Sequence, residues 1–457
     1  MSPRFRNCSL DQPFLMPPSM HDWLPEKHLA RFIAEVADHL DLKPILDKYS
    51  RQDNRGAQAY HPLMLVRLLL YGYCVGIVSS RELERATVSD IAFRFLAANE
   101  HPDHDTIANF RRMHLAELGK LFTQVLELCR EAGLVKAGRV MLDGTKIAAN
   151  ASRRKNMTHE QLSKREEALQ QKVAEMLREA EAADEAEDQK YGKTKRGDEL
   201  PEELSDPQKR LKRIQEAKAR LEERLKQTAE QAERERAEQK ASGEAQTNAQ
   251  KKRFYRARKA AAEQQGTINL TDAESRLMVN GNVGGYVQAY NAQAAVLENQ
   301  VIVAAEVTNE AADKQQLVPM TAKIIEGLGC TPTTVMADSG YFSEPAVGDE
   351  SLKGIETLVP PDRCKPGEEL KEKSPRGEQA MKMREKLARP EVAAEYELRK
   401  QTIEPVFGQI KEARGFRRFL MRGAEAVRTE WRLMAMTHNL LKLYRHRMQE
   451  NPAISFG

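Results

Sequence analysis

The first 135 residues carry apolar side chains at the three- and four-residue spacing of amphipathic helices. This pattern predicts helices over residues 26–46, 62–76, 80–87 and 106–133. Ser79, followed by Glu82 three residues later, has the spacing of a capping box, and Asp105 is positioned to cap a helix that begins at Thr106. The amino-terminal part is therefore expected to be all helical.

The pattern changes to short apolar runs after residue 138 and again between residues 267 and 360. These runs predict strands over residues 139–142, 283–297, 301–307, 333–337 and 354–359. Residues 391–448 return to a helical pattern. Strands separated by helical segments are typical of an α/β core, here with helical parts appended to it.

Residues 161–240 differ from the rest of the chain, because 19 Lys or Arg and 21 Asp or Glu occupy half of the positions. Strong helix formers with opposite charges three or four residues apart predict two helices. Leu211, Ile214, Leu221 and Leu225 form a thin apolar stripe. We expect a helical hairpin or a short coiled coil, which serves either as a solvated spacer or as an arm that binds a partner or DNA.

Two aspartates follow apolar runs that are predicted to be strands. Asp143 precedes Gly144, and Asp338 precedes Gly340 by two residues. The carboxyl end of a strand is where α/β proteins place functional groups, although Asp and Gly are also ordinary turn residues. Two such aspartates in one chain favour a site. Carboxylates suit Mg²⁺, and two such ions can hold the attacking and leaving oxygens of a phosphoryl transfer.

A third carboxylate is expected in the carboxy-terminal helical part, where Glu404 is the candidate. Tyr396, Lys400, Glu404, Phe407 and Lys411 fall within about 80° of one helix face at 100° per residue. Such a face is either a ladder of i,i+4 salt bridges or a metal ligand beside cations that bind phosphate. The proline that follows Glu404 predicts that the helix is kinked or begins there.

The net charge of the whole chain is only +4, from 72 Lys or Arg and 68 Asp or Glu. Residues 399–447 nevertheless carry twelve Lys or Arg and four Glu. Within this segment Arg417, Arg418 and Arg422 alternate with aromatic and apolar residues between glycines, as expected for phosphate contacts with a stacking side chain. A plain basic helix end remains the alternative.

A second basic cluster lies at residues 103–112. Together with the helices predicted before it, it has the arrangement of a helix-turn-helix-like unit whose second helix contacts DNA.

Membrane and secretory signals are not evident in the sequence. Residues 63–78 are apolar but include Arg67 and are too short to cross about 30 Å of hydrocarbon. The amino terminus has prolines and polar residues where a signal peptide has an apolar core. Five scattered cysteines without a C-x-x-C pair favour a reducing compartment over a disulfide framework or a thiolate zinc site. We therefore expect a cytoplasmic protein that does not contact a membrane.

Taken in order, several short motifs resemble the bacterial insertion-sequence transposases of the DDE type, in the group that has a Tyr-Arg-Glu-Lys signature. The motifs are YHP at 60–62, LLLYGY at 68–73, SSRELE at 79–84, PDHDTIANFR at 102–111, LDGTKIAANAS at 142–152, ADSGY at 337–341, EPVFGQIK at 404–411 and GFRRF at 415–419. The resemblance implies an α/β, RNase H-like catalytic core with an all-helical N-terminal domain and a long helical insertion.

The resemblance also implies the site residues. Asp143, Asp338 and Glu404 would be the catalytic carboxylates that bind Mg²⁺, with Mn²⁺ as a substitute. Tyr396, Arg399 and Lys411 would be the signature residues; because the spacing from Arg399 to Glu404 is one residue longer than usual, Lys400 is an alternative for the signature arginine. Further expected DNA contacts are Arg81, His104, Arg111, Arg112, Lys146, Arg417, Arg418 and Arg422.

The function implied by the resemblance is metal-dependent cleavage and strand transfer of an insertion sequence. The partners would be double-stranded DNA, namely the terminal inverted repeats and the target, and a second copy of the chain in an active homodimer, located with the nucleoid in the cytoplasm. The alternatives are an RNase H-fold nuclease that cuts without joining, and a DNA-binding protein without catalysis.

The same resemblance divides the chain. The expected parts are a DNA-binding domain at 1–135, the first part of the catalytic core at 136–158, the charged insertion at 159–266, and the remaining core with basic helices at 267–450.

Overall fold

The computed structural model describes residues 19–49, 59–191, 202–241, 266–280, 285–362 and 377–450. Its amino-terminal part is helical, as predicted. The helices are α1 (Met20–Trp23), α2 (Leu29–His39), α3 (Lys43–Tyr49), α4 (Pro62–Val75), α5 (Ser80–Ser89), α6 (Ile91–Leu96), α7 (His104–Met113) and α8 (Leu115–Glu131). Leu68, Tyr73 and Phe93 are fully buried where these helices pack together.

Two of the predicted helices are each divided in the structure. The segment 26–46 separates into α2 and α3 because Leu40 is extended, with φ −79° and ψ 136°. The segment 106–133 separates into α7 and α8 at His114, with φ −115° and ψ 31°. The predicted caps were also wrong: Asp103, two residues before Asp105, accepts the hydrogen bond from the Thr106 amide at 2.7 Å, and the Ser79 side chain makes no capping hydrogen bond.

The described strands form one six-stranded mixed sheet and one two-stranded sheet. They are β1 (Arg139–Ala148), β2 (Asn156–Thr158), β3 (Thr267–Asn269), β4 (Arg276–Asn280), β5 (Gly285–Leu297), β6 (Ile302–Thr308), β7 (Thr334–Ala337) and β8 (Glu356–Leu358). The large sheet has the order β4-β5-β1-β7-β8, and β6 also pairs with β5. Strand β1 is antiparallel to β5 and parallel to β7, and β8 is parallel to β7.

Strand β1 is longer than predicted. We expected it to end at Asp143 with a turn at Gly144, but it continues to Ala148. The reason is pairing with a distant segment, since every residue from Val140 to Ala148 lies opposite a residue of β5. Strand β7, in contrast, ends at Ala337, directly before Asp338, as predicted.

Helices cover both faces of the large sheet. They are α11 (Leu317–Leu328), α12 (Glu344–Val347), α13 (Glu378–Leu387), α14 (Pro390–Gly408) and α15 (Ala424–Glu450), and α14 is followed by a π-helical turn at Gln409–Ala413. Val140 and Val335 pack in a core with residues of α11. Met141 and Met336 point to the opposite face, into a core shared with α14 and α15. The fold is therefore mixed α/β, with helical parts at both ends of the chain.

The charged insertion contains the predicted helices, α9 (His159–Tyr191) and α10 (Glu202–Ala241). They contact each other through ion pairs, including Lys218 Nζ to Glu166 Oε2 at 3.0 Å. Ile214 and Leu221 of the predicted stripe are buried in a small core, whereas Leu225 is exposed. The break predicted between the helices lies largely outside the described residues. A coiled coil remains a prediction.

No single helix in the described ranges is long and apolar enough to cross a membrane. Among the described helices, α4 and α5 reach such a length and composition only as a pair, with a bend of 99° between them.

Candidate active site

Asp143 and Asp338 lie beside each other on neighbouring parallel strands. Leu142 of β1 pairs with Ala337 of β7. Asp143 and Asp338 are the next residue after each of these, and the backbones of the two neighbouring strands lie about 5 Å apart. Asp143 comes two residues after Met141, and Asp338 comes two residues after Met336. Since side chains two residues apart point to the same face of a sheet, both aspartates lie on the face covered by α14. Burial raises the pKa of Asp143 to about 6; the Arg399 charge opposes this and the Asp338 charge adds to it.

Helix α14 supplies a cation and a hydroxyl group to this carboxylate pair. Arg399 is 6% exposed, and its Nη1 donates to Asp143 Oδ2 at 3.2 Å. The Tyr396 hydroxyl donates to the Ala337 carbonyl at 3.1 Å, next to Asp338. The Arg399 guanidinium also lies 5.9 Å from the centre of the Tyr396 ring. Lys400 is exposed. The residue that contacts the aspartates is therefore Arg399, and the alternative that Lys400 takes its place is not supported by this geometry.

Glu404 is on a different face of α14. The buried residues of that helix are Arg399, Thr402, Ile403 and Val406, whereas Glu404 is exposed. The described residues contain no ion pair of Glu404 with Lys400, so the salt-bridge ladder is not formed. No group of three His, Cys, Asp or Glu that could hold a metal ion is found within the described ranges. A role for Glu404 as third ligand thus remains a prediction.

The proline after Glu404 does not start the helix. Pro405 lies inside α14, and the irregular turn comes later, at Gln409–Ala413. The prediction that the helix begins at this proline was wrong. The π-helical turn brings Lys411 back over β1, where its Nζ donates to the Thr145 hydroxyl and, at 3.2 Å, to the Lys146 carbonyl.

A polar cluster around Asp313, which the sequence did not indicate, lies beside the aspartates, since a Cβ atom on Gly340 would be 2.9 Å from Asp338 Oδ1 and 3.6 Å from Asp313 Oδ2. Asp313 Oδ1 accepts hydrogen bonds from Asn291 Nδ2 at 2.6 Å and from Gln293 Nε2 at 2.8 Å. Lys146 Nζ is 3.9 Å from the same oxygen, and burial lowers the pKa of this lysine. The only sequence signal was the presence of three amide side chains, Gln288, Asn291 and Gln293, in the otherwise mainly apolar strand β5.

Two families of known domains match the chain. The family described as transposase domain (DUF772) matches residues 18–113, and the family described as transposase DDE domain matches residues 364–444. The second range includes α14 and with it Tyr396, Arg399 and Glu404. Together, these two matches support an insertion-sequence DDE transposase. No curated protein and no solved structure matches it.

Arg111 does not lie where a DNA contact would be. It is 5% exposed, and its guanidinium donates to the Tyr73 hydroxyl at 3.1 Å, the Val78 carbonyl at 2.9 Å and the Ser80 hydroxyl at 2.5 Å. A buried guanidinium with three partners is not available to a phosphate group. The predicted DNA contact at Arg111 was therefore wrong. Its neighbour Arg112 is exposed.

The other predicted DNA contacts of the transposase are at least partly accessible. Arg81 is exposed, and His104 Nδ1 lies 2.8 Å from Glu84 Oε2. Arg417 forms an ion pair with Glu412. Arg418 and Arg422 are exposed beside the end of β1. Their roles remain predictions.

Proposed function

We propose that this transposase cleaves DNA at the ends of an insertion sequence and transfers the freed strand to a target. The observation that carries the proposal is the pair of adjacent aspartates, Asp143 and Asp338, with the buried Arg399 donating to the first of them. A partly buried carboxylate that needs a cationic partner is costly for the fold, and such groups are concentrated at functional sites.

An RNase H-like core is part of the proposal. The order β6-β5-β1-β7-β8 supports it: β6 and β1 are each antiparallel to β5, whereas β7 is parallel to β1 and β8 is parallel to β7. An RNase H-like core is expected to have this strand order and these directions. The domain boundaries given above, including the DNA-binding role of residues 1–135, are proposed with it.

The donor set fits a divalent metal ion. Asp143 and Asp338 offer hard carboxylate oxygens, which Mg²⁺ and Mn²⁺ prefer, and Glu404 is the proposed third ligand. The bound ions would neutralise charge on the phosphate and activate the attacking oxygen. The buried face of α14 carries Arg399, so Glu404 would come closer to Asp143 and Asp338 only if the helix changed its position.

The side chains around the aspartates have roles of their own. Arg399 orients the Asp143 carboxylate and offsets its charge. Lys411 and Lys146, both partly buried beside β1, add positive charge where a DNA phosphate would approach. No group in this set is a candidate for a covalent intermediate, so positioning and charge neutralisation are the proposed contributions of the protein.

The partners follow from the chemistry. We propose double-stranded DNA, both the terminal inverted repeats and the target, and a homodimer in which two copies hold the two ends of the element.

A strand-transfer assay on paired element ends tests the proposal. Asp143→Asn and Asp338→Asn should each abolish cleavage and joining while end binding stays nearly intact, and Glu404→Gln should do the same. Full activity of either aspartate variant would exclude the assignment. Cleavage without joining by the unmodified protein would favour the nuclease. The non-catalytic alternative predicts that Asp143, Asp338 and Glu404 are far apart; the two aspartates are adjacent, but Glu404 is exposed on a different face of α14, so the assay decides between the two readings.

A further inference from the structure

A row of cations from the carboxy-terminal segment follows strand β1 away from the aspartates. The contacts, in order along the strand, are Arg399 with Asp143, Lys411 with Thr145, Arg418 with Ala148 and Arg422 with Asn150. The Arg418 contact is a backbone bridge, and Arg422 Nε donates to the Asn150 carbonyl at 3.0 Å. The row spans about 23 Å, at about 3.3 Å per residue of a strand.

The row ends in a groove beyond the end of β1. The groove has a volume of about 520 Å³, within the range of pockets that hold small ligands. The side chains that give it its chemical character are Ser152, Arg153, Lys155, Tyr286, Arg418 and Arg422. Four of these carry a positive charge, and the described residues that line the groove include no Asp or Glu. A phosphate group would therefore be attracted and would meet no fixed negative charge.

Tyr286 gives this basic groove an aromatic surface. Its side chain is on β5, opposite Val279 of β4, and the two residues are 47% and 61% exposed. Arg153 Nη1 donates to the Tyr286 carbonyl at 3.4 Å, so a guanidinium lies beside the backbone of this residue. An exposed aromatic side chain in a basic groove is a typical stacking platform for a nucleic acid base.

We propose that this groove binds a single DNA strand that continues from the active site, with one unpaired base stacked on Tyr286 and phosphates at Arg153, Arg418 and Arg422. The inference rests on the proposed function, because that function puts the cleaved phosphate at Asp143 and Asp338. A DNA strand that keeps duplex-like stacking rises about 3.4 Å per nucleotide and a stretched strand rises more, so the row of cations corresponds to about seven nucleotides or fewer. The stacked base is then expected within about seven nucleotides of the cleaved phosphate.

The first test measures affinity for a fluorescently labelled oligo-deoxythymidine and for a duplex of equal length, using the full chain in EDTA. Tyr286→Ala should weaken binding of the single strand about 5- to 100-fold, with a smaller effect on the duplex, and Tyr286→Phe should stay within about twofold. An unchanged affinity in Tyr286→Ala, or an equal loss for the duplex, would overturn the proposal.

Arg153 and Arg154 provide a test position and a matched control for the electrostatic contribution to binding of the single strand. Both are exposed arginines of the short helical turn Arg153–Lys155, but only Arg153 lines the groove. Arg153→Gln should weaken single-strand binding and lower the slope of log affinity against log salt by about 0.7, while Arg154→Gln should behave as the unmodified protein. Equal effects of the two variants would indicate a diffuse charge effect and contradict the groove.

Photo-crosslinking locates the strand. Element-end DNA carrying 5-iododeoxyuridine at single positions should crosslink to Tyr286 only within about seven nucleotides of the cleavage point, also in the Asp338→Asn background. If the groove variants have no effect while Asp338→Asn abolishes cleavage, the groove proposal fails and the proposed function stands. If crosslinking occurs as expected while Asp338→Asn remains active, the assignment of the active site fails and strand binding in the groove stands.

Discussion

Arg399 and Lys400 are adjacent cations on α14 with different surroundings. Arg399 is buried against Asp143, and Lys400 is exposed to solvent. A guanidinium that is held in place by burial keeps a fixed direction toward the carboxylate, which an exposed and flexible lysine side chain does not. Which of the two cations contacts Asp143 thus depends on the helix face on which it lies, and not on its spacing from Glu404 along the sequence.

We expect Arg399→Gln to lower the rate of DNA cleavage at least tenfold, because the Asp143 carboxylate then lacks its partner and its orientation. Lys400→Gln removes the same charge one residue later and should retain activity within about twofold. Steady-state cleavage of element-end DNA, with unfolding checked by circular dichroism, measures both. Equal losses would mean that charge near α14 matters more than the contact to Asp143.

His438 of α15 makes the stability of the fold dependent on pH. Its ring is buried, with Nε2 2.8 Å from the Gln300 carbonyl, so the neutral ring donates from this nitrogen. Burial, with the charge of Arg414 adding to it, lowers the pKa of His438 to about 3. In the unfolded chain the pKa of histidine is near 6.5, so protons bind preferentially to the unfolded state between these two values.

The contribution of His438 is therefore fully present above pH 6.5 and is lost as the pH falls toward 3. We expect it to lower the free energy of unfolding by about 2 kcal/mol between pH 7 and pH 5. Urea unfolding at pH 7 and pH 5 gives the difference in the free energy of unfolding between the two pH values. In His438→Gln this difference should be smaller by about 2 kcal/mol than in the unmodified protein. An identical pH dependence in the variant would contradict the assignment.

At the scale of elements, sequence reasoning worked where local signals decide the outcome. The apolar run before Asp338 ends where β7 ends, and helix α4 was predicted to within one residue. Sequence reasoning failed where pairing with a segment distant in sequence sets the end of an element. In β1, pairing with β5 continues the strand through Asp143 and Gly144. The buried face of α14 could not be predicted for the same reason, since it depends on the position of the helix against the sheet.

Gly144 shows how tightly β1 and β5 are joined. A Cβ atom at this position would lie 2.3 Å from Gln293 Nε2 and 2.7 Å from Asp313 Oδ1. We expect Gly144→Ala to destabilise the protein by about 1–3 kcal/mol, because the hydrogen-bonded cluster must move.

Gly408 in α14 is the control for this prediction, because a Cβ atom there would meet nothing within 4 Å. Gly408→Ala should be neutral or stabilise by up to about 1 kcal/mol. Thermal unfolding of the two variants compares them directly, and a smaller loss in Gly144→Ala than in Gly408→Ala would refute the close packing of β1 on β5.

At the scale of the whole molecule, a buried hydrogen-bond chain joins the two helical ends of the sequence. Arg111 of α7 donates to the Tyr73 hydroxyl of α4, which in turn lies 3.4 Å from Glu430 Oε1 of α15. Glu430 is fully buried and also accepts from the amides of Leu420 and Met421. The chain therefore connects the amino-terminal helices to the loop that presents the basic groove residues.

We expect Arg111→Gln to lower the free energy of unfolding by about 2–4 kcal/mol, because the buried Glu430 then lacks a nearby positive charge. Arg112→Gln removes an exposed charge from the next position and should change stability by less than about 0.5 kcal/mol. Urea unfolding monitored by tryptophan fluorescence, which reports on the buried Trp431 of α15, distinguishes them. Equal stability of the two variants would show that the chain does not join the two ends.

The inserted helical pair enters and leaves the core through the small sheet of β2 and β3. Thr158, the last residue of β2, lies opposite Thr267, the first residue of β3, so the two attachment points are separated by only one interstrand distance, about 5 Å. A segment attached this way is an appendage of the core and not part of its large sheet. Its length can vary without a change in the strand order of the core, and a short turn could replace it when Asp143 and Asp338 are studied alone.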